Sequence, residues 1–159
     1  MNSSTKVVTI FIVVLLAAII SVSTGGCVEE QVDQGVYPEI DSMLEKGPLS
    51  ITFGAEWCPA CQEQKPVIET LSEEYRNSAS VIYIDIDQNR DIARAFDVVR
   101  VPETLVIIEG KSGEYIYMGD EGPTIDPAEA KLRGYTPHQT IDTRIQSAIS
   151  IRENEYTGN

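Results

Sequence analysis

Hydrophobic positions recur along this chain at two spacings, and the spacing changes from segment to segment. Residues 39–46 follow Tyr37-Pro38, begin with acidic residues and end at Gly47, the marks of a short helix. Residues 49–54 (Leu-Ser-Ile-Thr-Phe-Gly) alternate and are β-prone. Val67, Ile68, Leu71 and Tyr75 fall on one face of a helix over about 59–77, and Pro66 inside it predicts a kink. Residues 81–86 (Val-Ile-Tyr-Ile-Asp-Ile) are a nearly continuous β-branched and aromatic run, which suits a central buried strand. A short helix over 91–96 follows, then a strand over 104–108 and a turn over 109–113 that leads into a hairpin partner at 114–118. Thr136-Pro137 opens a last helix with Ile141, Ile145, Ala148 and Ile149 as its inner stripe, and a polar, frayed tail is expected after Ser150.

The order βαβαββα predicts an α/β domain, a mixed β-sheet with helices on both faces. One stretch does not fit the minimal plan. Residues 119–133 lie between the hairpin and the last helix and are expected to run as an extended surface loop. A helical turn at 126–130, begun by an Asp cap, is the alternative there, and a lid over the site has no motif behind it.

The first 27 residues read as an address. Residues 1–6 are polar with one Lys, residues 7–20 are apolar apart from Thr9, and small residues lead through Gly25-Gly26 to Cys27. The apolar run is shorter than the roughly 20 residues that span a bilayer. Gly-Gly-Cys resembles the lipobox of exported lipoproteins, closer to archaeal surface lipoproteins than to bacterial ones, since Thr24 stands where bacterial lipoboxes usually carry Leu. Lipidation of Cys27 is the preferred reading; an uncleaved anchor helix and ordinary cleavage that leaves Cys27 free are the alternatives. All three place the remainder outside the cytoplasm. Residues 28–36 read as a tether, 37–150 as the domain carrying the 119–133 insertion, and 151–159 as the tail.

Charge and cysteine content narrow the function. Lys and Arg total 12 against 25 Asp and Glu, for a net charge of -13, and such a surface repels phosphate backbones, so no nucleic-acid partner is expected. Three cysteines cannot staple 159 residues into a disulfide-rich mini-fold. With Cys27 set aside, Cys58 and Cys61 are an isolated pair in Trp57-Cys58-Pro59-Ala60-Cys61. At a strand-to-helix junction Cys58 meets unpaired backbone N–H groups and the positive end of the helix dipole, which favour a thiolate. Two intervening residues let Cys61 return within disulfide distance, and Pro59 supplies a fixed φ in the first turn. Trp57 offers a flat apolar wall beside the sulfur. Two Cys and a distant His138, read as a first-turn helix residue, are too few for zinc, so no metal is expected. A static disulfide is the weaker reading, because so short a loop constrains little of the unfolded chain.

From Tyr37 to Ile149 the chain resembles the thioredoxin superfamily. Phe53-Gly54-Ala55-Glu56-Trp57-Cys58 with Cys61 is similar to the family's active-site segment, Pro66 to its helix kink, and Ile84-Asp85-Ile86-Asp87-Gln88-Asn89 to the strand end and turn that follow. Val101-Pro102, with Pro102 placed 41 residues after Cys61, resembles the family's cis-proline, and Gly134, with Gly119 as a rival, the glycine before the last helix. Two departures stand out: Thr52 occupies the position of a buried Asp in many members, and Tyr83 that of its Lys partner. In the family that Asp moves the proton of the second thiol, so its loss removes a general base. Water or Glu56 is a substitute, although Glu56 reads first as a solvated loop residue.

The resemblance implies a protein-disulfide oxidoreductase without a cofactor. Cys58 is the expected nucleophile and Cys61 the resolving thiol, with Val101, Pro102 and Trp57 binding an extended substrate segment. The expected partners are protein thiols and disulfides, a membrane thiol carrier or oxidant, and the membrane itself through the N-terminal anchor. Pro-Ala between the cysteines matches neither the Gly-Pro of reducing thioredoxins nor the Pro-His of strong oxidants. The expectation leans toward a reductase, because extracytoplasmic reductases of this superfamily serve cytochrome maturation and disulfide repair. The competing class is a thioredoxin-fold binding module without redox turnover, its thiols a soft Cu(I) site or a structural bridge. The single His138 argues against copper, and nothing beyond the CxxC supports a peroxidase.

Overall fold

In the computed structural model the described residues are 37–157. The export segment, Cys27 and the 28–36 tether lie outside them. The elements are α1 (Pro38–Lys46), β1 (Leu49–Gly54), α2 (Pro59–Glu74), β2 (Ser80–Asp85), α3 (Arg90–Ala95), β3 (Glu103–Lys111), β4 (Glu114–Met118), β5 (Pro123–Thr124), α4 (Pro127–Ala130), β6 (Leu132–Arg133) and α5 (His138–Thr157). The strands form one mixed sheet in the order β2-β1-β3-β4-β5, with β6 paired to β3. β1 and β2 run parallel, and the β1–β3 and β3–β4 pairs are antiparallel.

Alternation along the central strands builds two apolar layers. Leu49, Ile51 and Phe53 of β1 and Leu105 and Ile107 of β3 point to one face, where Ile40 and Leu44 of α1 and Phe96 cover them. Val106 and Ile108 point to the other, against Ile68 and Leu71 of α2 and Ile141, Ile145 and Ala148 of α5. Covering both faces is why β1 is buried at every position and why its inner polar residues, Ser50 and Thr52, are buried as well. The periodic stripes of the helices match their observed faces, as the i, i+3, i+4 pattern requires.

Three expectations need correction. β2 stands at the edge of the sheet among the described residues, with only Val81 and Ile84 buried. Its apolar run reflects helices on both faces, since Ile82 packs with one core layer and Tyr83 with the other; cover on the faces says nothing about neighbours along the hydrogen-bonding direction. Residues 119–133 are not an extended loop. Asp126 accepts a hydrogen bond from the Ala128 N–H and starts α4, and Leu132–Arg133 pairs with Glu103 and Thr104 at the head of β3. Finally, α5 continues past Ser150 to Thr157, because Ile151 packs against the second core layer and Arg152 donates to the Ile108 carbonyl at 3.2 Å.

Gly54 closes β1 under unusual crowding. A Cβ there would lie 1.9 Å from Tyr83 Oη and 2.5 Å from its Cζ, so the phenol occupies the volume that a side chain at position 54 would need. Gly54→Ala is therefore expected to lower stability by about 1–3 kcal/mol through overpacking. Adding Tyr83→Leu should recover most of that loss. Denaturant unfolding of the four-member mutant cycle checks this, and strictly additive effects would refute the contact.

Candidate active site

The end of β1 and the start of α2 place the two cysteines. Phe53 pairs with Glu103, so the exit of β1 lies beside the entrance of β3 and brings Ala55 to Cys58 up to the Val101-Pro102 segment. Cys58 is the N-cap of α2, with extended backbone (φ -95°, ψ 112°) and Pro59 at the first helical position. Its Sγ accepts the Cys61 N–H at 3.2 Å, and its carbonyl takes the first helical bonds from Cys61 and Gln62. Cys58 and Cys61 form a disulfide with their Cα atoms 5.2 Å apart. Cys58 retains 6% of its surface and Cys61 none, so Cys58 is the more accessible of the two buried cysteines.

Around the disulfide is a small apolar shell of Ala55, Ala60, Ile86 and Val101. The Val101–Pro102 peptide is cis, and Cys58 Sγ lies 3.7 Å from the Val101 carbonyl oxygen, within reach of a thiol that donates once the pair is reduced. Behind Pro102, the Gly134 N–H donates to the Pro102 carbonyl at 2.8 Å. Gly134 has φ +81°, a left-handed conformation that suits glycine. Gln64, fully buried in α2, donates to the Thr136 carbonyl at 3.0 Å and accepts its N–H at 2.7 Å, pinning the same segment from the other side. Pro66 interrupts α2 just beyond, leaving the Gln62 carbonyl without its usual helical donor.

Trp57 is 66% exposed and belongs to the rim. Its indole N–H donates to Asp87 Oδ2 at 2.8 Å. The turn that presents Asp87 is built by Asp85, whose carboxylate accepts the Asp87 N–H at 2.9 Å and the Gln88 side chain at 2.8 Å. Those two bonds, the backbone one foremost, hold the Asp85 carboxyl below the ordinary carboxylate range. Thr52 is fully buried, and its hydroxyl is 2.9 Å from that of Thr104. Tyr83 pairs in register with Thr52 beneath the Lys65 ammonium, and burial, with Asp85 and Glu56 nearby, pushes its phenol up. Glu56 is exposed, and its backbone carbonyl accepts from the Gln62 side chain. His138 opens α5 and hydrogen-bonds Glu74 at 2.8 Å, remote in the chain from the cysteines.

Of the residues singled out in the sequence, the fold brings Cys58, Cys61, Val101 and Pro102 together, and sets Trp57 beside them with its polar contact on Asp87. Sequence reasoning missed Asp87 and Gln64. Both are polar residues whose partners lie far along the chain, and no local signal distinguishes them from surface positions.

Comparison with known proteins agrees with this geometry. The thioredoxin family model matches residues 32–124. The chain belongs to the thioredoxin family. A thioredoxin of Staphylococcus aureus is 32% identical over 73 residues, which span 46% of this chain and 70% of that protein. The structure of a mutant thioredoxin from Halobacterium salinarum aligns with a TM-score of 0.53 and 26% identity, over 70% of this chain and 84% of its own. Fold, disulfide and relatives together make this thioredoxin-family chain a thiol–disulfide oxidoreductase.

Trp57 is the lone tryptophan and the direct neighbour of Cys58, so its emission is expected to report the state of the pair. Reduction should raise the emission by relieving quenching by the disulfide, and Asp87→Ala should shift the spectrum by freeing the indole N–H. A spectrum unchanged by reduction would contradict the placement of Trp57 at the site.

Proposed function

We propose that this chain is an extracytoplasmic, membrane-tethered thiol–disulfide exchange protein that acts as a reductase of protein disulfides. The observation that carries the assignment of roles is the unequal exposure of the two sulfurs. Cys58 sits at the mouth of the site on the N-terminus of α2, whereas Cys61 is closed off beneath it. The Cys58 thiolate, the more accessible of the two and stabilised by the N–H groups and dipole of α2, attacks one sulfur of a substrate disulfide. That bond breaks, a Cys58–substrate mixed disulfide forms, and the first substrate thiolate leaves. Cys61 then loses its proton and attacks Cys58 Sγ, which forms the internal disulfide and releases the second thiolate. The substrate gains two electrons, and the Cys58–Cys61 pair is oxidised by two.

Val101 and Pro102 form the wall against which an extended substrate segment would lie, with Trp57 at its rim. No buried carboxylate stands at position 52 to accept the Cys61 proton, because Thr52 and Thr104 satisfy one another. Proton loss from Cys61 is therefore assigned to water. The tether rests on the export pattern of residues 1–27 and on Cys27, and regeneration outside the cytoplasm calls for a membrane thiol carrier as electron donor.

One experiment addresses mechanism and location together. In intact cells expressing the full chain, Cys61→Ser should accumulate mixed disulfides that fractionate with the membrane, and Cys58→Ser should accumulate none. Equal trapping by the two variants would overturn the assignment of roles, and adducts confined to the soluble cytosol would overturn the tether.

A further inference from the structure

Glu103 follows Pro102 directly, is fully buried, and has no hydrogen-bond partner on either carboxylate oxygen. Its charge faces two cations from the 119–133 insertion. Lys131 Nζ lies 3.5 Å from Oε2, and Arg133 Nε lies 3.7 Å from Oε1. The Lys131 side chain is itself only 3% exposed, and its ammonium also donates to the backbone carbonyl of Asp97. Asp97, at φ +49°, is where the chain turns away from α3. A single buried ammonium thus joins the residue where the 97–102 loop begins to the residue just past its end.

Neighbouring contacts reinforce the clamp. Arg133 pairs in register with Glu103 and donates through Nη2 to the Ala128 carbonyl at 3.1 Å, which ties the cation back to α4. The loop so held carries Val99, 69% exposed, and Val101, whose carbonyl faces Cys58. Both cations lie beyond residue 124, where the family match ends.

We propose that Lys131 and Arg133 are positioning residues that, through Glu103, hold the 97–102 loop in the shape that receives a protein disulfide. The proposal rests on the exchange reading given above and adds a specificity device to it. Stability alone is a poor reason for such a cluster. A buried ion pair gains little over apolar packing, because desolvation offsets the attraction, whereas fixing geometry is the best-attested use of buried charge. The contact with the Asp97 carbonyl supplies that geometry, since apolar replacements cannot reproduce it.

The test separates position from stability. Lys131→Met alone strands a buried carboxylate and risks unfolding, so the informative variant is Glu103→Leu combined with Lys131→Met, which removes both charges. This double variant should melt no lower than wild type. It should lower the selectivity for insulin over hydroxyethyl disulfide about tenfold, with the loss falling on KM rather than kcat. Lys131→Arg, which keeps a donor for Asp97, should retain most of the wild-type selectivity. Unchanged selectivity in a folded double variant would overturn the clamp, as would an equal loss on both disulfides, which would mean damage to the disulfide chemistry. Failure of the wild-type chain to turn over either compound would instead overturn the exchange reading beneath it.

Discussion

The junction at Cys58 is the constraint on which the rest of the structure depends. β1 is buried on both faces and flanked by β2 and β3, so its end point is fixed by two hydrogen-bonded neighbours and two apolar layers. Only four residues separate it from α2, and Cys58 serves as the helix cap, which places one sulfur among the free N–H groups of the helix and seals the other against Ala55 and Ile86. The asymmetry between an accessible and an inaccessible thiol follows from this placement. A helix begun one residue earlier or later would rotate both cysteines by roughly 100° and take both out of their present surroundings.

Support for the junction comes from three directions. Gln64 and Gly134 hold the approach to α5 against α2 and Pro102. The turn built by Asp85 presents Asp87 to the Trp57 indole. Lys131 and Arg133 grip Glu103 behind the loop that carries Val101. Beneath the site, Thr52 and Thr104 form a neutral hydroxyl pair. In the proposed mechanism the helix N-terminus supplies the electrostatics, and water is assigned the Cys61 proton.

Val101-Pro102 is legible only through the family resemblance, whereas local patterns in the sequence are enough for the cysteine pair, the mixed sheet and the starts of the helices over eight residues. Those signals are short-range: a cap and proline at a helix start, stripes three and four residues apart, alternation in a strand. The edge position of β2 was not legible, because a strand covered on both faces reads the same at an edge as in the middle. The ordered insertion reads as loop in the sequence because its strands are two residues long and are stabilised by β3 and β4 rather than by their own propensity. Lys131, Arg133 and Glu103 look like surface charges in a strongly acidic chain. Only the fold shows that Glu103 and the Lys131 side chain are buried together, with the half-exposed Arg133 at their edge.

The most direct test of the central claim is the equilibrium reduction potential of the Cys58–Cys61 couple, read from Trp57 emission in thiol buffers of known potential. The account predicts reversible two-electron exchange with a midpoint near the roughly -270 mV of reducing thioredoxins. A midpoint near the roughly -120 mV of strong oxidants would contradict the reductase direction. A pair that exchanges with no thiol buffer would contradict turnover itself.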